Sequence, residues 1–122
     1  MQREIKFRAW DSKSQRMYYQ GEPDLECVQS FFHHYNDNDE LMQFTGLHDK
    51  NGKEIYEGDV IVFDLYSYWG HDIKEKGKIV FDDYAFVFKT KTGEYFLADL
   101  DCCKEEDIEI IGNIHETPKL LK

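Results

Sequence analysis

Lys78-Ile79-Val80-Phe81-Asp82-Asp83-Tyr84-Ala85-Phe86-Val87-Phe88-Lys89 is the stretch on which the fold turns. Two runs rich in β-branched and aromatic residues flank a pair of aspartates, the composition of two strands joined by a turn. If the second run is extended, Tyr84, Phe86 and Phe88 point one way and Ala85 and Val87 the other. Both faces are apolar, which predicts a strand that is central in its sheet or covered on its outer side. Working outward, Val60 to Leu65, Glu94 to Leu97 and Ile108 to Ile111 have the same character. Ser67 to Gly70 and Thr92-Gly93 supply the turns between them. Five short strands in about fifty residues predict a mainly β protein, a small bent sheet or an SH3-like, partly open barrel.

The first half carries a weaker pattern. Ile5, Phe7 and Ala9 alternate with Lys6 and Arg8, the period of a half-buried strand, and Met17 to Tyr19 reads as its return after a polar turn at Asp11 to Gln15. Leu25, Val28, Phe32 and Tyr35 fall at helical spacing after Pro23, so one short helix is expected here, with strand as the alternative for Val28 to Phe32. Asn36 to Glu40 reads as a polar loop and Leu41 to Thr45 as a strand ending at Gly46. Asp49-Lys50-Asn51-Gly52 is the strongest turn signal, because Asn-Gly tolerates the positive φ angles of a type I′ hairpin. Gly46, Asn51, Gly52, Gly58 and Gly112 are the expected structural turn positions. The organisation expected is one domain over 1–122: N-terminal strands, a variable segment and a hairpin to 59, barrel-like strands over 60–116, and a loose tail over 117–122, with a last helical turn starting at Thr117-Pro118 as the alternative.

Length, charge and cysteines exclude several classes. A chain of 122 residues is the size of one domain. Its longest aliphatic or aromatic run, Val60 to Phe63, is far short of a membrane-spanning helix, and no apolar segment follows the N-terminus as a secretory signal would require. Three cysteines argue against a disulfide framework and for a reducing cytoplasm. The formal charge is −10, which disfavours a broad nucleic-acid groove and leaves room only for a small basic contact. Residues 1–19 hold five basic residues against two acids, whereas the other 103 hold ten lysines against 23 acids. A basic edge and an acidic stretch, Asp99 to Glu109, on one small chain suggest self-association.

No group of residues passes a test for chemistry. Cys102-Cys103 and His33-His34 are adjacent, whereas zinc ligands sit two to four residues apart; His33 or His34 with Cys27, Asp37 or Asp39 is the remaining combination, and a polar loop beside a helix end is the simpler reading. In Asp49-Lys50-Asn51-Gly52 the glycine stands two places too early for a calcium loop, and Val60 occupies the position of the bidentate glutamate. No serine lies in a nucleophile elbow, and no phosphate-cradling glycine loop occurs. Acids beside Cys102 and Cys103 would raise the thiol pKa and blunt reactivity. Asp82-Asp83 fits a turn better than acid–base work, and Asp99 and Asp101 share a face if extended, with hydration as their simplest fate. The expectation is therefore no catalytic residue, no metal, no cofactor and no enzyme.

Three blocks carry a resemblance. Arg3-Glu4-Ile5-Lys6-Phe7-Arg8-Ala9-Trp10-Asp11 opens the chain, and Leu41-Met42-Gln43-Phe44-Thr45-Gly46-Leu47 is followed by Asp49-Lys50-Asn51-Gly52-Lys53-Glu54-Ile55-Tyr56-Glu57-Gly58-Asp59. Ile110-Ile111-Gly112-Asn113-Ile114-His115-Glu116, with Pro118 and Leu120, closes it. In this order they resemble the YopX-like family of phage and prophage proteins over nearly the whole chain. His115 stands where an aromatic such as Tyr is more usual, Thr117 stands where Asn is common, and residues 20–40 fall in the family's variable segment. The resemblance implies a predominantly β fold, a bacterial mobile element and assembly into oligomers; it implies no activity, cofactor or catalytic residue.

The function expected is a non-enzymatic, self-assembling interaction protein that binds a host or phage protein and no membrane. Its candidate interface comprises Arg3, Arg8, Trp10, Phe44, Asp99, Asp101, Glu105 and Glu106. Two alternatives stand beside it: nucleic-acid association through the basic N-terminal strand, and an acidic surface that mimics DNA to occupy a host protein.

Overall fold

The computed structural model describes residues 5–22, 25, 28–64, 74–82, 85–91, 93–96 and 108–121. The chain divides into two compact units, Met1–Phe44 and Thr45–Lys122. The expected architecture holds: two curled antiparallel sheets, one of them a half-barrel, and one short helix.

In the first unit, β1 (Phe7–Asp11) lies between β2 (Arg16–Tyr19) and the first half of β3 (Glu40–His48). Ala9 faces Tyr18 on one side and Leu41 on the other. The β1–β2 turn is held by the Asp11 carboxylate, which accepts the Lys13 N–H at 2.9 Å, and closes on Gln15 at φ 57°. Because side chains alternate along β1, Phe7 and Ala9 join one cluster and Trp10 another. Ala9, Tyr18, Leu25 and Phe31 form the first, with Phe7, Tyr35 and Leu41 against them; Trp10, Met17 and Met42 form the second.

The helix α1 spans Val28–His34. Its inward anchor is Phe31, fully buried, while Phe32 is 38% exposed. The spacing that favoured Phe32 is displaced by one residue because Phe31 continues to Tyr35 at i+4 and packs on Tyr18, with ring centroids 5.4 Å apart.

The second unit takes over in the middle of β3. That strand does not end at Gly46 but runs to His48. Gly46 adopts a left-handed φ of 91°, and the neighbouring Thr45 hydroxyl donates to the Ile55 carbonyl at 2.8 Å and accepts the Leu47 N–H at 3.2 Å. The hydroxyl thus carries the pairing of β3 and β4 (Glu54–Tyr56) across the irregularity. The turn between them also departs from type I′. Only Gly52 has a positive φ, 81°, and its N–H bonds the Asp49 carbonyl at 3.0 Å. A type I turn followed by a left-handed glycine is the three-residue hairpin solution, and here Asn51 never needs the left-handed region.

Beyond it, β5 (Asp59–Asp64), β6 (Lys74–Asp82), β7 (Ala85–Thr90), β8 (Glu94–Phe96) and β9 (Ile108–Asn113) form the five-stranded sheet in the order β8-β7-β6-β5-β9. Ile79 pairs with Phe88 and Phe81 with Phe86, as the opening stretch of sequence demands. The core is Ile55, Ile61, Phe63, Ile79, Phe86, Phe88 and Ile108. Val87 on the opposite face is also buried, in keeping with a strand covered on both sides.

Asp49 connects the hairpin to this sheet. Its Oδ1 accepts the N–H groups of Asn51 at 2.9 Å and Lys53 at 3.0 Å, and its Oδ2 accepts that of Ile110 at 3.1 Å. The Lys50 N–H adds a bond to the Ile108 carbonyl at 2.8 Å. These groups lie along the outer edge of β9, so the hairpin satisfies an edge that would otherwise be open. Burial pushes the Asp49 carboxyl up, but the N–H groups of Ile110, Lys53 and Asn51 outweigh it and hold the pKa below its ordinary value.

The segment read as a loose tail forms a 3₁₀ turn, Pro118–Leu121. Asn113 organises it: its Oδ1 accepts the His115 and Glu116 N–H groups at 3.0 and 2.8 Å, and its carbonyl accepts the Thr117 N–H at 3.0 Å. Thr117 returns the favour with its hydroxyl, which accepts the Asn113 N–H at 3.0 Å. This brings Thr117 and Leu120 so close to Gly112 that a Cβ there would overlap both.

Two outcomes are expected. Asp49→Ala leaves three backbone donors without their acceptor and should lower unfolding stability by about 3 kcal/mol in urea at neutral pH. Because the folded pKa of Asp49 is depressed, its contribution is present above the unfolded value of ~3.9 and lost as pH falls through the lower folded value. The gap between wild type and Asp49→Asn should therefore narrow only in acid. Gly112→Ala should cost about 1–3 kcal/mol through overpacking against Thr117 and Leu120, read in the same unfolding measurement.

Candidate functional site

Three of the candidate interface residues are placed inside the first unit. Arg8 is 3% exposed, Trp10 8% and Phe44 2%. Arg8 stands opposite Tyr19 on β2, with its guanidinium carbon 5.9 Å from the centre of that ring. Trp10 packs with Met17 and Met42, and the Phe44 N–H bonds the Lys6 carbonyl at 2.9 Å. Arg3, Asp99, Asp101, Glu105 and Glu106 lie outside the described residues, as do Cys27, Cys102 and Cys103. Gly58, with φ 85°, donates to the Ile79 carbonyl at 2.7 Å and so feeds β5 into the sheet. Next to it Asp59, 2% exposed, accepts the Tyr56 N–H at 2.8 Å.

The variable segment carries a buried polar group. Asp39, read as part of a polar loop, is 8% exposed. Its Oδ2 accepts the Tyr18 hydroxyl at 2.5 Å and the Asn36 N–H at 3.2 Å. Burial, and then the bond to Asp39, push the Tyr18 hydroxyl far above its ordinary range, so it serves as a neutral donor. His34 lies edge-on to the same ring at 4.7 Å. Among the described residues no three His, Cys, Asp or Glu side chains converge as a metal site would require, and no helix is long and apolar enough to cross a membrane.

Among the described residues, Ile5, Phe32, Phe81 and Phe96 are large apolar side chains left exposed, and one cleft is lined by lysines. On the first unit, Ile5 is 60% exposed and Phe32 38%. Ile5 and Phe7 share a face by the period of two, and Phe7 meets the Phe32 ring edge-on at 5.4 Å. Phe7 and Phe32 thus touch, and Ile5 stands exposed two residues before Phe7.

On the second unit, Glu75, Lys76, Gly77, Lys78, Lys89, Thr90 and Lys91 line a cleft of about 450 Å³ at one end of β6 and β7. Lys78 pairs directly with Lys89 across the strands. Basic residues alternating with Gly77 and Thr90 were the readable signal. All three arginines, by contrast, lie in the first 16 positions.

The comparisons with known proteins follow the fold. A family model described as YopX protein matches residues 6–122. The crystal structure of protein EF1440 from Enterococcus faecalis is similar over 99% of this chain and 100% of that one, with a TM-score of 0.62 and 25% sequence identity. No curated protein matches the chain. With the match spanning all but the first five residues and the three sequence blocks lying on β1, the β3–β4 hairpin and β9, the chain belongs to the YopX family.

Proposed function

We propose that this protein is a non-enzymatic interaction module, encoded by a bacterial prophage or phage and working in the cytoplasm, that self-associates through its first unit. The observation that carries the reading is the Ile5–Phe7–Phe32 patch. Large apolar side chains on a small chain are usually withdrawn from water, and contiguous exposed ones mark contact surfaces. The occupant is a second copy of the chain. A self-complementary patch related by a two-fold axis is the commonest way for a homo-oligomer to close. The adjacent basic stretch on a chain of charge −10 gives that contact an electrostatic complement on its partner.

This reading moves the contact from Arg8, Trp10 and Phe44 to their exposed neighbours. Arg8, Trp10 and Phe44 are buried within the unit, so a charge reversal at Arg8 tests the fold of the unit rather than its association. Nucleic-acid association through the N-terminal strand loses Arg8 for the same reason.

Light scattering on the purified chain at micromolar concentration should give twice the 14.6 kDa chain mass. Phe32→Asp and Ile5→Asp should each weaken the dimer about tenfold or more, with the far-ultraviolet dichroism unchanged. A wild-type mass of 14.6 kDa under the same conditions contradicts the proposal.

A further inference from the structure

We propose that the lysine-lined cleft of β6 and β7 is a binding site for phosphoryl groups. It belongs wholly to the second unit and is independent of association through the first.

Lys76 and Lys78 alternate with Gly77 on β6, so both amines leave the strand on one face. Lys89 stands opposite Lys78 on β7, which places like charges at the closest cross-strand position. Such a pair opposes the fold, and an anion between the two amines removes that opposition. Lys91 follows at the end of β7, where the Thr90 hydroxyl fixes the turn by donating to the Gly93 carbonyl at 3.0 Å and accepting its N–H at 3.1 Å.

Charge compensation within the cleft is slight. Lys89 pairs with Glu94 at 3.3 Å, and among the described residues Glu75 is the one acid in the lining. Among the described residues no carboxylate lies within ion-pair distance of Lys76, Lys78 or Lys91, although the chain as a whole is strongly acidic. The base between the strands is backbone. Gly77 has no room for a Cβ, which would meet the Lys89 carbonyl and the Phe88 ring.

The chemistry selects the ligand class. Four ammonium groups, of which Lys89 alone already shares a carboxylate among the described residues, match an anion of high charge and many acceptor oxygens, and phosphoryl groups supply both. A single carboxylate would neutralise only one of them. A cleft of about 450 Å³ is within the range of small-ligand sites. Its open side also admits the backbone of a nucleic-acid strand. A free polyphosphate and a nucleic-acid backbone thus present the same groups, and the test separates them.

The test titrates the full chain by calorimetry with inorganic tripolyphosphate and, separately, with single-stranded oligothymidylate at low salt. The protein should bind at least one of them. Lys76→Gln/Lys78→Gln should weaken that binding about tenfold or more, while Lys13→Gln/Lys53→Gln, which removes the same charge elsewhere, should change it less than about twofold. Binding of tripolyphosphate alone assigns a free phosphate ligand; tighter, steeply salt-dependent binding of the oligonucleotide assigns the backbone. The cleft variant should melt at or above the wild-type temperature, since it relieves the opposition of Lys78 and Lys89. Absence of binding to both probes, equal weakening by the control variant, or a lowered melting temperature of the cleft variant would overturn the proposal.

Discussion

The Asp49 carboxylate is the interaction on which the second unit depends. One buried side chain receives two N–H groups from its own hairpin and a third from Ile110, 61 residues further along the chain. A turn alone would need only the local bonds. The long-range one joins the β3–β4 hairpin to β9, and the Lys50 N–H to the Ile108 carbonyl doubles the attachment. β9 thereby has partners on both sides, β5 within the sheet and the hairpin outside it. A charged acceptor suits this position because it strengthens each hydrogen bond at a site where water is excluded.

Much of this arrangement was legible in the sequence because it rests on local chemistry. The five strands of the second unit announce themselves through Val, Ile, Phe and Tyr between turn residues, and the pairing of Ile79 with Phe88 agrees with two apolar runs separated by Asp82-Asp83 in the sequence. What escaped were effects of tertiary context. β3 passes Gly46, where the Thr45 hydroxyl donates to the Ile55 carbonyl of β4, a bond that no propensity records. The C-terminal residues fold back because Asn113 and Thr117 bind each other's backbone, four residues apart. Thr117 and Pro118 carried that information, but a threonine near a chain end reads as tail unless its acceptor is known.

The candidate sites were less legible, and for one reason. Charge in a sequence does not say which face a side chain occupies. Arg8 lies in the most basic stretch of the chain and is buried beside Tyr19, whereas Lys76, Lys78, Lys89 and Lys91 are spread through the acidic remainder and converge only when β6 and β7 pair. Asp39 shows the converse: it sits in the most polar loop, Asn36 to Glu40, yet it is the buried acceptor that seats Tyr18. Exposed aromatics suffer the same ambiguity, since helical spacing cannot choose between Phe31 and Phe32 without the sheet they cover.

The most direct test of the Asp49 linkage is native-state hydrogen exchange of the Ile110 amide compared with those of Phe63 and Ile79 in the core. If the carboxylate fastens the hairpin to β9, Ile110 exchanges with about the free energy of the core amides and by the same global opening. Its exchange at the rate of an open strand edge, while Phe63 and Ile79 remain protected, would contradict the account and leave Asp49 as a local turn residue only.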